Sequence, residues 1–515
     1  MSDALRPQPG HPTPPIEITG GAAEATGHLP APVVLLDDDF LSDLATACTE
    51  VLLDPGDRAE ASRDWWPLAM VWATSGQVGQ VAGAVARPSS THEVAAVLRL
   101  CNERHIPLTP AAGRSSVVGG TIPVHGGVVL DCTAMSGIVD VDTTSGIVEV
   151  LAGTFGDLFE EELQRSYGVT VGHWPQSMTL STVGGWLACR GAGQLSNRYG
   201  KIEDIVVGLE VVLADGHVVR TGGQPRQAVG PDLTQLFVGS EGTLGVITRA
   251  WLQAWPVPTY TARGAWSFPT FSAALDAMRR TTQRGATPAV LRLYDGIESE
   301  RNFKVDPTSN VVLAFDEGDE TMVEAGMAVL REECAEATEL DVALVEQWFG
   351  HRNDVAALEA LISKGYVVDT MEITGPWSAL DAIYDAATTA IKAVPGCLAV
   401  SAHQSHSYLT GGCLYFTFAG AVPNTVTDPG VTDEREAFYR AAWDAGSRAI
   451  LGAGGSLSHH HGVGLNRARF VGEALGDGLA VLAELKATLD PNGICNPGKL
   501  GLPDPFGGDP WPDPA

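Results

Sequence analysis

The 515-residue chain is 44% hydrophobic and 18% charged, the balance of a soluble globular protein long enough for two or more domains. Its formal charge of −30 argues against a nucleic-acid partner, whose phosphates it would repel. No apolar run reaches the roughly 18 residues of a membrane-spanning helix, and the eight cysteines are scattered without a C-x-x-C pair, which speaks for reduced thiols and against a disulfide framework, a structural zinc site or an iron–sulfur cluster.

The opening stretch "MSDALRPQPGHPTPP" is rich in Pro, Gly and Ala. It lacks the basic patch and apolar stretch of a secretory signal, and a cytoplasmic location is the expectation. Disorder is expected to about residue 30, within a partly disordered extension over 1–83. From 84 to 258, short apolar runs alternate with glycine-rich turns. "THEVAAVLRLCNERH" has helical spacing, and "GGVVLDC", "GIVEVLAG" and "IVVGLEVVLADGHVV" read as strands, the last with a hairpin signal at "ADG". This predicts an α+β domain.

Three stretches of that domain carry chemistry. "TPAAGRSSVVGG", residues 109–120, is neither a Walker loop nor G-x-G-x-x-G. Its small residues would let backbone N–H groups approach a diphosphate, or would simply form a tight loop. Residues 172–206 are dense in Ser, Thr, Gly and Asn, and their hydroxyls could hold a diphosphate or ring carbonyls. "FVGSEGTLGVIT", residues 237–248, is a glycine-interrupted strand against which a flat ring could lie.

From 259 to 440, helical stretches such as "FSAALDAMRRTTQRG", "TMVEAGMAVLREECAEA" and "WSALDAIYDAATTAIKAV" alternate with strands such as "NVVLAFDEG" and "CLYFTFAGA", which predicts a second layered domain. Residues 441–500 read as a helical segment that carries "GGSLSHHHGVG" and ends in a helix stopped by Asp-Pro and Asn-Gly. The end, "GLPDPFGGDPWPDPA", reads as a flexible tail over 501–515.

His459, His460 and His461 leave three readings open: a metal site, a proton shuttle and a polar loop. A metal needs converging ligands at about 2 Å. Adjacent residues on extended chain point to opposite faces, and the loop offers no carboxylate or thiol partner, so no metal is expected. Imidazole titrates near neutral pH and suits proton transfer or anion binding.

The three glycine–hydroxyl stretches, in this order and spacing, resemble the FAD-binding domain of the vanillyl-alcohol-oxidase/PCMH flavoprotein superfamily. "STVGGW", "YGKIEDIV", "GSEGTLGVIT", "LRLYD", "WFGHRNDV", "GGCLYFTF" and "GGSLSHHHGVG" are similar to its alkyldihydroxyacetonephosphate synthase (alkylglycerone-phosphate synthase) branch. The resemblance runs from about 84 to 500. It implies a PCMH-type two-subdomain FAD-binding domain over 84–258, an α/β cap with an antiparallel sheet over 259–440, and a C-terminal helical part that completes the active site.

By this resemblance Pro110, Ala111, Ala112, Gly113, Arg114, Ser115 and Ser116 would line the diphosphate of FAD. Gln176, Ser177, Met178, Thr179, Leu180, Ser181, Thr182, Cys189, Arg190, Gly191, Ala192, Glu241, Gly242, Thr243, Leu244, Gly245, Val246 and Ile247 would embrace the rest. The loop departs from the family's G-G-G-T: Arg114 would either place a cation near the diphosphate or point to solvent. Ser115 and Ser116 stand where covalent flavoproteins carry a histidine, which implies non-covalent FAD. The resemblance further implies exchange of the acyl group of acyl-dihydroxyacetone phosphate for a fatty alcohol without net redox change. Tyr415 would abstract a proton, the histidine loop would orient it, Arg352 would hold the anionic end of the substrate, and Arg292 would stand near the flavin. A plain FAD-linked oxidation of a hydroxy acid or alcohol is the alternative. The expected partners are a small-molecule or lipid-like substrate, a peripheral membrane contact and a second copy of the chain.

Overall fold

The computed structural model describes residues 28–354, 356–421, 429–509 and 511. The disorder expected over the first residues therefore falls, up to residue 27, outside the described part.

The first half of the chain builds two larger sheets and a two-stranded ribbon of Val169–Thr170 with Trp255–Pro256. One runs in the order Val51–Leu52, Ala84–Ala86, Val128–Asp131, Leu108–Ala111, and its last three strands are parallel. The helix Thr91–Arg104 covers it. Ser90 caps this helix by accepting from the Glu93 N–H, and Val94, Val97, Leu98 and Cys101 form its buried stripe. The other sheet is antiparallel, in the order Ile138–Asp142, Ile147–Leu151, Val246–Gln253, Val206–Val212, Val218–Gly222. The expected hairpin turns at Asp215-Gly216, where Gly216 takes φ +80°.

Between the two sheets lie the loops picked out in the sequence. Gly113 shows why the first is so small: a Cβ there would sit 2.0 Å from the Leu180 carbonyl oxygen. Only glycine lets the loop after Leu108–Ala111 press onto the 176–182 turn.

The second half is a seven-stranded antiparallel sheet ordered Thr338–Glu339, Tyr260–Phe268, Asn310–Gly318, Val290–Tyr294, Cys397–Ser407, Gly411–Ala421, Tyr366–Pro376. Helices Phe271–Gln283, Glu320–Glu333, Leu380–Lys392 and Pro429–Gly452 pack on one face. Period-two patterning sets the faces. Leu414, Phe416 and Phe418 point into the helix-covered core, whereas Tyr415 and Thr417 of the same strand line a cavity on the other side. No described helix is long and apolar enough to cross a membrane.

The loose tail expected over 501–515 is corrected where it is described. Leu502 and Trp511 are buried, Trp511 at 1% exposure, and Asp504 lies 2.6 Å from His125 Nε2. Trp511 meets Trp66 and Trp72 edge to face at 5.2 and 6.2 Å, under the Arg440 guanidinium at 3.5 Å. A composition rich in Pro and Gly argued for looseness, and one large aromatic overrode it. The segment 28–83 is likewise packed, with Trp66, Leu68, Met70 and Trp72 in the main core. Trp511→Ala is expected to lower stability by about 3–5 kcal/mol, the cost of emptying a buried aromatic site. A urea unfolding midpoint unchanged from wild type would show that this indole contributes nothing.

Candidate active site

A cavity of about 940 Å³ opens between the two halves. Its floor is one row of residues across four adjacent strands. Tyr294 pairs with His403, His403 with Tyr415, and Tyr415 with Glu372. Directly opposed residues of antiparallel strands share a face, so the register alone collects two phenols, an imidazole and a carboxylate. A bulge between Gln404 and His406 turns His406 onto the cavity side as well.

Glu372 is fully buried and organises the histidine loop. Its Oε1 accepts from the backbone N–H groups of His459, His460 and His461 at 3.2, 3.2 and 2.8 Å and from Ser458 Oγ at 2.7 Å. The buried Arg467 guanidinium closes the pair through Oε2, and His461 Nδ1 lies 3.0 Å from the same oxygen. Burial alone would raise this carboxyl, but Arg467 and His461 hold it well below its ordinary 4.5. A second carboxylate ties the far end of the loop to the first half: Glu241 accepts from Val463 N at 2.6 Å and Gly464 N at 2.7 Å. Gly464 takes φ +52°, and a Cβ there would meet the Val118 carbonyl oxygen at 2.4 Å.

The imidazoles form a short chain. Tyr408 Oη is 2.6 Å from His459 Nε2, and His459 Nδ1 is 2.8 Å from His460 Nδ1, so one nitrogen donates and the other accepts. His461 Nε2 lies 3.4 Å from Tyr415 Oη, which also accepts from Thr370 Oγ1 at 3.2 Å. Burial holds His406, His459 and His460 well below the usual imidazole range and pushes the Tyr415 phenol up. At neutral pH these three imidazoles and this phenol are neutral donors and acceptors. His406, His459 and His460 offer nitrogens within 4.8 Å of one another. The expectation, drawn from the loop's lack of a carboxylate or thiol partner, took no account of His406, which the neighbouring strand brings to the loop.

Most of the expected cofactor residues reach the cavity: Pro110 to Ser116, Gln176, Ser177, Leu180 to Thr182, Cys189, Gly191, Ala192, Glu241, Gly242 and Gly245 to Ile247 line it. Five do not. Met178 and Leu244 pack into the apolar core beside the five-stranded sheet. Thr243 turns its hydroxyl to the Ser240 carbonyl at 2.7 Å. Arg190 is exposed and faces Glu203 and Gln235, each at 3.4 Å. Thr179 sits in the turn away from the cavity wall. Among the proposed catalytic residues, Tyr415, His460 and His461 line the cavity and His459 stands one layer behind. Arg292 and Arg352 both line it, with Arg292 5.4 Å from the Trp348 ring and Arg352 4.5 Å from the Phe349 ring.

Sequence reasoning missed Trp65, His173, Glu298, His403 and His406, all cavity-lining, and Glu372 beneath them. The paired histidines of "SAHQSHS" were a signal; at strand periodicity they fall on opposite faces, and only the bulge reunites them.

The wall suits an anionic, ring-bearing cofactor. Arg114 is 3% exposed and does not reach solvent. Its Nη1 is 3.8 Å from Asp131, and its Nε and Nη1 have no hydrogen-bond partner. Both ring nitrogens of the buried His173 also lack one. Such buried donors demand acceptors from a ligand.

Known proteins agree with this reading. The chain matches a FAD binding domain over residues 82–222 and the C-terminal domain of FAD linked oxidases over 257–500. It is 32% identical over 435 residues to the FAD-linked oxidoreductase YgcU of Escherichia coli, spanning 82% of this chain and 89% of that protein. It is 30% identical to an alkyldihydroxyacetonephosphate synthase of Dictyostelium discoideum (82% and 74% covered) and to glycolate oxidase subunit GlcD of Bacillus subtilis (82% and 89% covered). A solved alkyldihydroxyacetonephosphate synthase superposes with a TM-score of 0.74 at 25% identity, covering 90% of this chain and 86% of that one.

Glu372→Gln should strand the buried Arg467 and cost about 3–5 kcal/mol. A carboxyl held below its ordinary value contributes fully above pH 4.5 and loses that contribution as pH falls below it. The melting-temperature gap between wild type and variant should therefore be constant from about pH 8 to 5 and close below about pH 4. A gap that widens in acid would contradict the pairing.

Proposed function

Since the chain belongs to the FAD-linked oxidase family, in the alkyldihydroxyacetonephosphate synthase-like branch of the vanillyl-alcohol-oxidase/PCMH flavoproteins, we propose that it exchanges the acyl group of an acyl-dihydroxyacetone phosphate for a fatty alcohol. Bound FAD supplies the electrophilic and nucleophilic centre at which such chemistry, or hydride transfer, takes place. The observation that carries the reading is the number of cations. Two guanidiniums, Arg292 and Arg352, border the same cavity as Tyr415 and His461, and a third, Arg301, is paired there with Glu298. A phosphate carrying about −1.5 to −2 charges and a departing carboxylate call for more than the single guanidinium that one hydroxy-acid carboxylate needs. Oxidation of a hydroxy acid is the second reading, favoured by the likeness to glycolate oxidase subunit GlcD.

In either case the residues divide the work. Arg352 holds the anionic end, and Arg292, whose buried Nε has no partner, takes a second oxygen. In the exchange, the neutral Tyr415 phenol hands its proton toward His461 as it removes one from substrate carbon, and the proton returns to that carbon once the ether bond has formed. Gln176, Ser177, Leu180 to Thr182 and the 110–116 loop hold FAD without a covalent bond, because Ser115 and Ser116 offer no imidazole. The eight free thiols fit a cytoplasmic setting, with contact to a membrane surface or to a second copy of the chain as further parts of the proposal.

The holoprotein incubated with acyl-dihydroxyacetone phosphate and hexadecanol should form an ether lipid while the flavin spectrum stays oxidised. Anaerobic bleaching of the flavin by glycolate or D-lactate, with no ether formed, would replace this reading with the second. Acid should release the flavin into solution as free FAD; colour that stays with the denatured protein would overturn the non-covalent assignment.

His461→Ala and Tyr415→Phe should each lower turnover about 100-fold or more while the protein stays folded and yellow. The double variant should be little worse, as befits one proton-transfer unit. Arg352→Ala should weaken substrate binding by roughly one to two decades and leave FAD content unchanged. A variant that loses FAD instead would place Arg352 elsewhere.

A further inference from the structure

The cavity holds a second acid–base pair that the roles above leave unused. His403 stacks face to face on Tyr415, with ring centroids 4.7 Å apart and planes at 15°. Its Nδ1 lies 2.9 Å from Oε2 of Glu298. That carboxylate is 2% exposed and is fixed in place by Ser401 Oγ at 3.1 Å, Thr417 Oγ1 at 3.2 Å and Arg301 at 3.1 Å. Both His403 and Glu298 border the cavity. A carboxylate can only accept, so Nδ1 carries the hydrogen. Nε2 has no hydrogen-bond partner among the described residues and is not shut away from the cavity. This is the arrangement by which a carboxylate fixes one tautomer and leaves the opposite nitrogen bare as a base.

We infer that His403 takes the hydroxyl proton of the alcohol substrate and that Glu298 is the residue that positions it. The inference rests on the reading that one substrate is an alcohol, a feature shared by acyl exchange and by hydroxy-acid oxidation. The O–H bond breaks, its electron pair stays on oxygen, and the proton passes to Nε2, where the imidazolium is balanced by Glu298. In the exchange, that oxygen forms the new C–O bond as the carboxylate leaves. In the oxidation, FAD, when bound, would accept the hydride of the adjacent carbon. In both, the proton leaves His403 for water. Tyr415 is the partner of the carbon-bound proton in the exchange, so there two proton-handling groups stand stacked on adjacent strands.

Two measurements on the holoprotein test this. With ¹⁵N-labelled histidine, and the His403 signals assigned by His403→Gln, the wild type should show hydrogen on Nδ1 and none on Nε2 at neutral pH. Glu298→Gln should erase that preference. Turnover of hexadecanol with acyl-dihydroxyacetone phosphate, or of glycolate with an artificial electron acceptor, should fall about 100-fold in His403→Ala and be partly restored by added imidazole, with FAD content unchanged. Hydrogen on Nε2, a fully active His403→Ala, or a loss that imidazole leaves untouched would overturn the inference. If the wild type turns over neither substrate pair, the proposed function fails by itself, and the tautomer still decides for or against the bare Nε2.

Discussion

The buried carboxylate of Glu372 gathers three consecutive backbone N–H groups, a serine hydroxyl and a buried guanidinium onto two oxygens. Of the three adjacent imidazoles, His459 and His460 touch each other, at 2.8 Å between their Nδ1 atoms, and no hydrogen bond joins His461 to them among the described residues. Anchoring the backbone leaves the side chains free to fan out, His459 backward to Tyr408, His460 to its neighbour, His461 forward to Tyr415. The same loop is held to the first half of the chain through Glu241 and the Val118 carbonyl, which accepts from Leu465 and Asn466 at 2.9 and 3.0 Å. One segment thereby fixes the cap sheet against the cofactor loops, and the cavity exists because both anchors hold.

Electrostatics follow from this burial. Charging several closely packed, buried imidazoles would be costly. Burial keeps His406, His459 and His460 neutral. Guanidiniums, which do not titrate, border the cavity at Arg292 and Arg352, and the Lys201 side chain donates from Nζ to the His459 carbonyl at 2.7 Å. Cations beside neutral imidazoles suit a substrate with anionic groups.

The outline of the fold and the small-residue loops that line the cavity were legible in the sequence because both depend on local rules: period-two strands, a helix with a Ser90 cap, and small residues such as Gly113 where backbones touch. The floor of the site was less legible. Glu372, His403 and Tyr415 meet only through the register of three strands: His403 faces Tyr415 across a short hairpin, but Glu372 reaches Tyr415 by pairing of strands about 40 residues apart. His406 depends on a bulge that leaves no mark in composition. Trp511 lay in a stretch whose prolines and glycines argued for looseness, and tertiary burial outweighed that bias. Met178 and Leu244 erred the other way: a contiguous motif was taken whole, although alternate residues of it must face the core.

Amide hydrogen exchange at residues 459–461 tests the clamp most directly. In the wild-type holoprotein these three N–H groups should exchange slowly, at rates set by opening of the surrounding core. In Glu372→Ala, which removes the acceptor oxygen, they should become fast together, while the Glu241-bound amides of Val463 and Gly464 and the FAD content remain as in wild type. Equal protection in both proteins would contradict the claim that one carboxylate holds the histidine loop.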